Sequence, residues 1–264
     1  FNYVVAHIEQ NGKDLLLDAT DEYLKLGMLP IDCLNGQGLL VHPTKSRLLE
    51  IIPTEKDIEF KNAKLVIDEE GEMKGSISKS YGGYGALTER KEFKDKGSEK
   101  YLEEAKKENA SWVIEKAEYK NTSEYDVPME AQYQVSLSDY VTKAGNMLYL
   151  KPMLSEGKKE NALKSKERLY PIDFAFQREE TFMATYELPK GYSIVEIPKN
   201  ISMNLPENTG KFVYVISVNE NKLTVTSRIQ FRKSVYYAEE YPFLQEFFDK
   251  VVAKHSEQVV LKKN

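Results

Sequence analysis

The side chains best suited to covalent or metal chemistry are few: one cysteine, Cys33, and three histidines, His7, His42 and His255. A thiol becomes a nucleophile when a helix N-terminus or a neighbouring imidazole lowers its pKa. Cys33 stands in "DCLNGQG", with no helix start and no clear histidine partner in sequence. A lone cysteine in that setting is expected to be a small buried hydrophobe. The histidines are scattered and no HExxH or CxxC spacing occurs, so neither a metal nor another cofactor is expected. "YGGYG" is not followed by the lysine and hydroxyl of a phosphate loop, and "DATDE" lacks the alternating carboxylates and late glutamate of a calcium loop. Asp18 in "DATD" is expected to cap the turn after a strand by accepting backbone N–H groups. His255 is expected to complement the dipole of a C-terminal helix.

The totals narrow the function classes. The chain has 264 residues, 41% hydrophobic and 30% charged, with a net charge of −5 and a pI near 5.5. A mildly acidic balance gives no electrostatic reason to expect nucleic acid or an anionic membrane surface as a partner. No apolar run approaches the length of a bilayer span. A single cysteine excludes an internal disulfide framework. Seventeen tyrosines and eleven phenylalanines favour β structure, because aromatic rings suit a half-buried pleated surface.

The elements that would position any site are mostly strands. Residues 3–8 and 13–18 read as two short strands around Asn11-Gly12, a turn pair that tolerates positive φ. "DIEFKNAKLVID" and "EMKGSISKS" read as a hairpin, interrupted afterwards by "YGGYGAL", a turn or bulge. A charged helix is predicted near 98–109, with Ser98 as its N-cap. Residues 155–168 read as a loop or a linker between domains. In the last part, Phe212, Tyr214, Ile216 and Val218 share one face opposite Leu223, Val225, Ile229 and Phe231, the alternation of an antiparallel pair. A helix at 242–254 carries Leu244, Phe247, Phe248, Val251 and Val252 as a wide apolar stripe expected to cover a β-sandwich.

"FNYVVAHIEQNGKDLLLDATD" followed by "GMLPIDCLNGQGLLV" resembles the closing strands of a bacterial transglutaminase-like core, in envelope proteins of Bacteroidetes-type bacteria that flank this core with β-domains. "YPIDFAFQREETFMATYELPKGYSIVEIPKNISMNLP" and "EEYPFLQEFFDKVVAKHSEQVVLKK" resemble the C-terminal β-domain of the same family. The likeness covers about residues 1–45 and 170–262. It implies a mainly β fold: a core remnant at 1–45, then antiparallel β-sandwich domains at 46–160 and 161–264. Such cores use a cysteine nucleophile at a helix N-terminus, a histidine base on a following strand and an aspartate on the next. By that pattern Asp18 falls on the acid position. Tyr3 stands where related chains carry histidine, and a phenol with a reference pKa of about 10 cannot act as the base at neutral pH. His7 is the rival base, on the face of Tyr3 if the strand is regular. The chain lacks an initiator methionine and a leader, so it is expected to begin inside the core, with the nucleophile upstream of Phe1.

The functional expectation is therefore a non-catalytic accessory or binding region of a periplasmic or cell-envelope protein. The alternative is part of an active cysteine amidase or transglutaminase whose nucleophile lies upstream. The expected partner is a protein, a peptide or the upstream core, and not nucleic acid. Carbohydrate bound by exposed aromatics around Tyr81 and Tyr84 is a further reading.

Overall fold

The computed structural model describes residues 3–264; Phe1 and Asn2, where the predicted core remnant begins, lie outside the described residues. In chain order the first elements are β1 (Ala6–Gln10), β2 (Lys13–Leu17), β3 (Gln37–Leu40), β4 (Arg47–Glu50), β5 (Asp57–Ile67), β6 (Met73–Gly82) and helix α1 (Gly83–Glu108). Next come β7 (Trp112–Lys120), β8 (Met129–Leu137), β9 (Val141–Ala144), β10 (Met147–Leu150), β11 (Ile172–Asp173) and β12 (Arg178–Glu187). The chain closes with β13 (Tyr192–Glu196), β14 (Ile201–Asn204), β15 (Gly210–Asn219), β16 (Lys222–Phe231), β17 (Val235–Tyr236), α2 (Tyr241–His255) and β18 (Val259–Lys263).

The fold is mainly β, built on an eight-stranded mixed sheet in the order β14-β15-β16-β12-β5-β6-β8-β7. Two sandwiches divided near residue 160 do not describe it. β5 and β12 run parallel at the centre, from Asp57↔Arg178 to Val66↔Glu187, and join the two halves into one sheet. Period-two alternation reveals which face of a strand is buried but not which strand lies beside it. Joining the halves also removes two free edges, a standing liability of isolated sheets.

One face of this sheet carries the core. Leu65 and Ile67 of β5, Tyr133 and Leu137 of β8, Ala184 and Tyr186 of β12, and Leu223 and Val225 of β16 are all buried in one cluster. A four-stranded sheet, β13-β18-β10-β9, covers part of that face with Leu148, Leu150, Val259 and Leu261. α2 adds Leu244, Phe247 and Val251, as its apolar stripe predicts. The segment at 155–168 is not a free linker. Asn161 Nδ2 donates to the Gln245 carbonyl at 2.9 Å, and Tyr241 Oη donates to the Ser165 carbonyl at 2.7 Å, so the segment straps α2.

α1 begins fifteen residues before the predicted N-cap Ser98, because the glycine-rich stretch read as a turn or bulge is the helix start (98 less 83). Gly83 sits at φ +56°, and a Cβ there would collide with the Lys56 carbonyl oxygen. Gly97, at φ 74° and ψ 163°, breaks the helix just before Ser98, so the predicted helix is its second half.

The N-terminal segment forms two hairpins, β1–β2 and β3–β4. It is attached by a second small core in which Tyr23, Met28, Leu29 and Cys33 meet Tyr84, Leu87 and Phe176. Among the described residues, no helix is long and apolar enough to cross a membrane.

Candidate functional site

Asn11 and Gly12, at φ 53° and 71°, close the two-residue turn that the sequence marks and set Gln10 opposite Lys13 and Ala6 opposite Leu17. Carried past the strand ends, the same register sets Tyr3 against Thr20 and Val5 against Asp18. The side chains follow it. Tyr3 Oη donates to Asp18 Oδ2 at 3.0 Å and lies 2.7 Å from Thr20 Oγ1. The Thr20 N–H donates to Asp18 Oδ1 at 2.9 Å, the turn-capping contact expected from "DATD".

Electrostatics sort these groups. Desolvation pushes the Asp18 carboxyl up, but hydrogen bonds from the Thr20 hydroxyl, the Thr20 N–H and Tyr3 outweigh it and hold the carboxyl below its ordinary value. The Thr20 contact favours Tyr3 ionisation. Desolvation and the neighbouring Asp18 carboxylate outweigh that contact and raise the phenol. A phenol held above its usual pKa beside a carboxylate is a hydrogen-bond donor, with no capacity to take a proton from a thiol near neutrality.

His7 turns elsewhere. Its Nε2 lies 2.7 Å from Asp14 Oδ1, which also accepts from Arg47 Nη2 at 2.6 Å. The His7 hydrogen bond, then the Arg47 one, holds Asp14 below the ordinary carboxylate value. Cys33 ends a short 3-10 turn (Ile31–Cys33) and is 5% exposed, the buried small side chain that was expected. Burial pushes its thiol up, and the charges of Asp18 and Asp32 push the same way. The thiol borders an apolar pocket of about 250 Å³ that it shares with Tyr3, Val5, Leu29, Leu39 and Ile51. In the folded chain, iodoacetamide should alkylate Cys33 at least about tenfold more slowly than in the urea-unfolded chain at the same pH. Equal rates, followed by mass spectrometry, would mean an open thiol.

Residues 146–261 match the family described as "Domain of Unknown Function with solved-structure structure (DUF3858)". The match starts at β10, which pairs with β18 at the far end of the chain. A crystal structure of "a putative protease" from Parabacteroides distasonis superposes with a TM-score of 0.45 at 12% identity, covering 98% of this chain and 35% of that one. The chain thus spans about a third of that protein's length. No curated protein matches the chain.

Sequence reasoning missed a buried polar pair elsewhere. His255 ends α2, and its Nε2 lies 2.8 Å from Ser227 Oγ on β16. The Lys158 backbone N–H donates to Nδ1 at 3.1 Å. An N–H can only donate, so Nδ1 carries the lone pair and the neutral ring carries its proton on Nε2, facing Ser227. A general base would need the opposite tautomer, so the pair is structural. The expected dipole role for His255 is corrected too. Burial and then nearby Lys158 lower its pKa to about 4, so the ring is uncharged near neutrality. The available signal was Ser227 itself, a polar residue in an apolar alternating run.

The sugar-stacking reading of Tyr81 and Tyr84 is also corrected. Both rings are buried, and Tyr84 stacks on Phe176 with centroids 4.5 Å apart. His42 accepts the Thr44 N–H at 3.2 Å in its own turn. Among the described residues, no group of three or more His, Cys, Asp or Glu side chains could hold a metal ion.

Proposed function

We propose that this chain is a non-catalytic binding or scaffolding region of a transglutaminase-like protein of the bacterial cell envelope. Residues 1–45 then derive from the end of the catalytic core. Asp18 keeps the acid position, and Tyr3 occupies the base position. The observation that carries this reading is the Tyr3–Asp18 hydrogen bond. The two side chains that the resemblance assigns to acid and base are bonded to each other, as a working aspartate and histidine would be, yet the partner is a phenol. The raised Cys33 thiol and the engagement of His7 with Asp14 point the same way, because neither supplies a thiolate–imidazole pair.

The test is ammonia release from a glutamine peptide and amine incorporation into casein. It is run on the 264-residue chain and on the product of its whole reading frame. The expected rate is that of the buffer control in both. Activity that iodoacetamide abolishes and Asp18→Ala removes would establish the rival reading, an active cysteine amidase or transglutaminase.

A further inference from the structure

A cleft of about 520 Å³ opens between the start of α1, the first residues of β5 and the 173–176 loop. Arg178 lines it. Its Nε is buried and has no hydrogen-bond acceptor among the described residues. The guanidinium lies over the rings of Phe174 and Phe176, at 5.3 and 5.5 Å from their centroids, which fixes its plane. Nε stands 3.8 Å from Asp57 Oδ2, near enough for charge attraction but beyond a hydrogen bond. Nε itself is screened from an incoming group, but the Arg178 side chain is 40% exposed, so the terminal N–H groups of the guanidinium are the donors that an acceptor entering the cleft can reach.

The other charged groups of the cleft are already engaged. Lys61 holds Glu59 at 2.8 Å and Lys158 holds Glu180 at 2.6 Å. Glu89 accepts from Tyr101 Oη, and Asp173 accepts the Ala175 N–H at 2.7 Å. Asp57 and Arg178 remain as an acceptor and a donor facing one space without satisfying each other. Burial raises the Asp57 carboxyl, and Arg178 pulls it down less than that. Gly85 keeps the helix side open, since a Cβ there would stand 2.6 Å from Asp57 Oδ1.

We infer that this cleft binds an uncharged amide of an extended peptide, its carbonyl accepting from Arg178 and its N–H donating to Asp57. An anion would meet the Asp57 and Asp173 carboxylates beside a single unengaged cation, and a cation would meet Arg178. A neutral group that carries donor and acceptor side by side meets neither penalty. A saccharide lacks its usual platform here, because Arg178 covers Phe174 and Phe176, and Tyr84 stacks on Phe176. The inference rests on the reading of this chain as a binding region and adds the place and the ligand class.

The experiment titrates acetyl-trialanine-amide to millimolar concentrations into 15N-labelled chain, with maltotriose and acetate as comparison probes. The peptide should shift amides at 57–59, 83–89 and 173–180 in a saturable way, and the other probes should not. Arg178→Lys keeps the charge and loses the planar fork, so it should weaken binding about tenfold. Asp57→Asn, checked for fold by its spectrum, should also weaken it and serves if Arg178→Lys unfolds. Peptide shifts absent from those segments, equal affinity in the folded variants, or saturation by maltotriose or acetate would overturn the inference. None of these results depends on amide hydrolysis, so the non-catalytic reading stands or falls separately.

Discussion

Lowering the pH from 7.5 to 4.5 should cost the folded chain about 2.5 kcal/mol through His255 alone. The ring's pKa falls from an ordinary 6.5 to about 4 on folding, because burial and then Lys158 oppose its charge while Glu180 only partly offsets them. A depressed folded pKa fixes the sign. Above pH 6.5 both states carry a neutral ring and no penalty exists. Between 6.5 and about 4 the unfolded chain takes up a proton that the folded chain refuses, so stability falls steadily as pH drops. Below about 4 the loss is complete. Protonation would also force Nδ1 to give up the Lys158 N–H, loosening the strap where it crosses the end of α2. Urea titrations of wild type and His255→Gln across this range measure the effect. Carboxylates contribute to both proteins, so the diagnostic is the difference in slope between pH 6.5 and 4.5. Identical slopes would mean that His255 titrates normally.

Local pairing was legible in the sequence wherever a turn and an alternation coincided. The β15–β16 pair carries Phe212 opposite Ile229 and Ile216 opposite Val225, as the apolar period demands, with its turn in "NENK". The β1–β2 hairpin is similar: Asn11-Gly12 fixes the turn, and the turn fixes which residues meet. Long-range pairing was not legible. β5 and β12 lie more than a hundred residues apart in sequence, and their parallel register is chosen by the packing of both sheet halves against one core. The start of α1 was hidden for a different reason. Glycine is a poor helix former, yet close approach to the Lys56 carbonyl requires it at position 83. Tertiary contact overrode local propensity.

The candidate site divides in the same way. Tyr3 and Asp18 come together because they flank a hairpin whose register the turn sets, so a local rule sufficed. The Arg178 cleft draws on residues 57, 85 and 173–178, whose proximity follows from the parallel pairing that the sequence did not reveal. His255 and Ser227 meet only because α2 returns to the sheet. For the cleft and for His255, what failed to show was the neighbour rather than the residue's own preference.

Arg90 gives the largest effect expected outside the site. In sequence it sits in "LTERKEFK" and resembles any solvated helix charge, but it is 2% exposed. Its Nε donates to the Asn121 carbonyl at 3.0 Å, and Nη2 donates to those of Glu124 and Val127 at 2.6 and 2.5 Å. One guanidinium thereby ties the first half of α1 to the loop between β7 and β8. Desolvation opposes the charge, and carbonyl dipoles with the Tyr125 ring, 5.7 Å away, provide the compensation. Arg90→Met keeps the apolar stem but strips the donors from three carbonyls packed against it. The expected loss is about 3–5 kcal/mol, since removing the partner of buried polar groups costs their full desolvation penalty. Arg90→Lys should recover only part of it, because a single ammonium cannot reproduce the fork. Urea unfolding measures both variants, and limited proteolysis should show cleavage rising at 121–127 in Arg90→Met before the sheet unfolds. A loss under about 1 kcal/mol, the typical net worth of one ordinary hydrogen bond, would mean that the loop holds its shape without this tie.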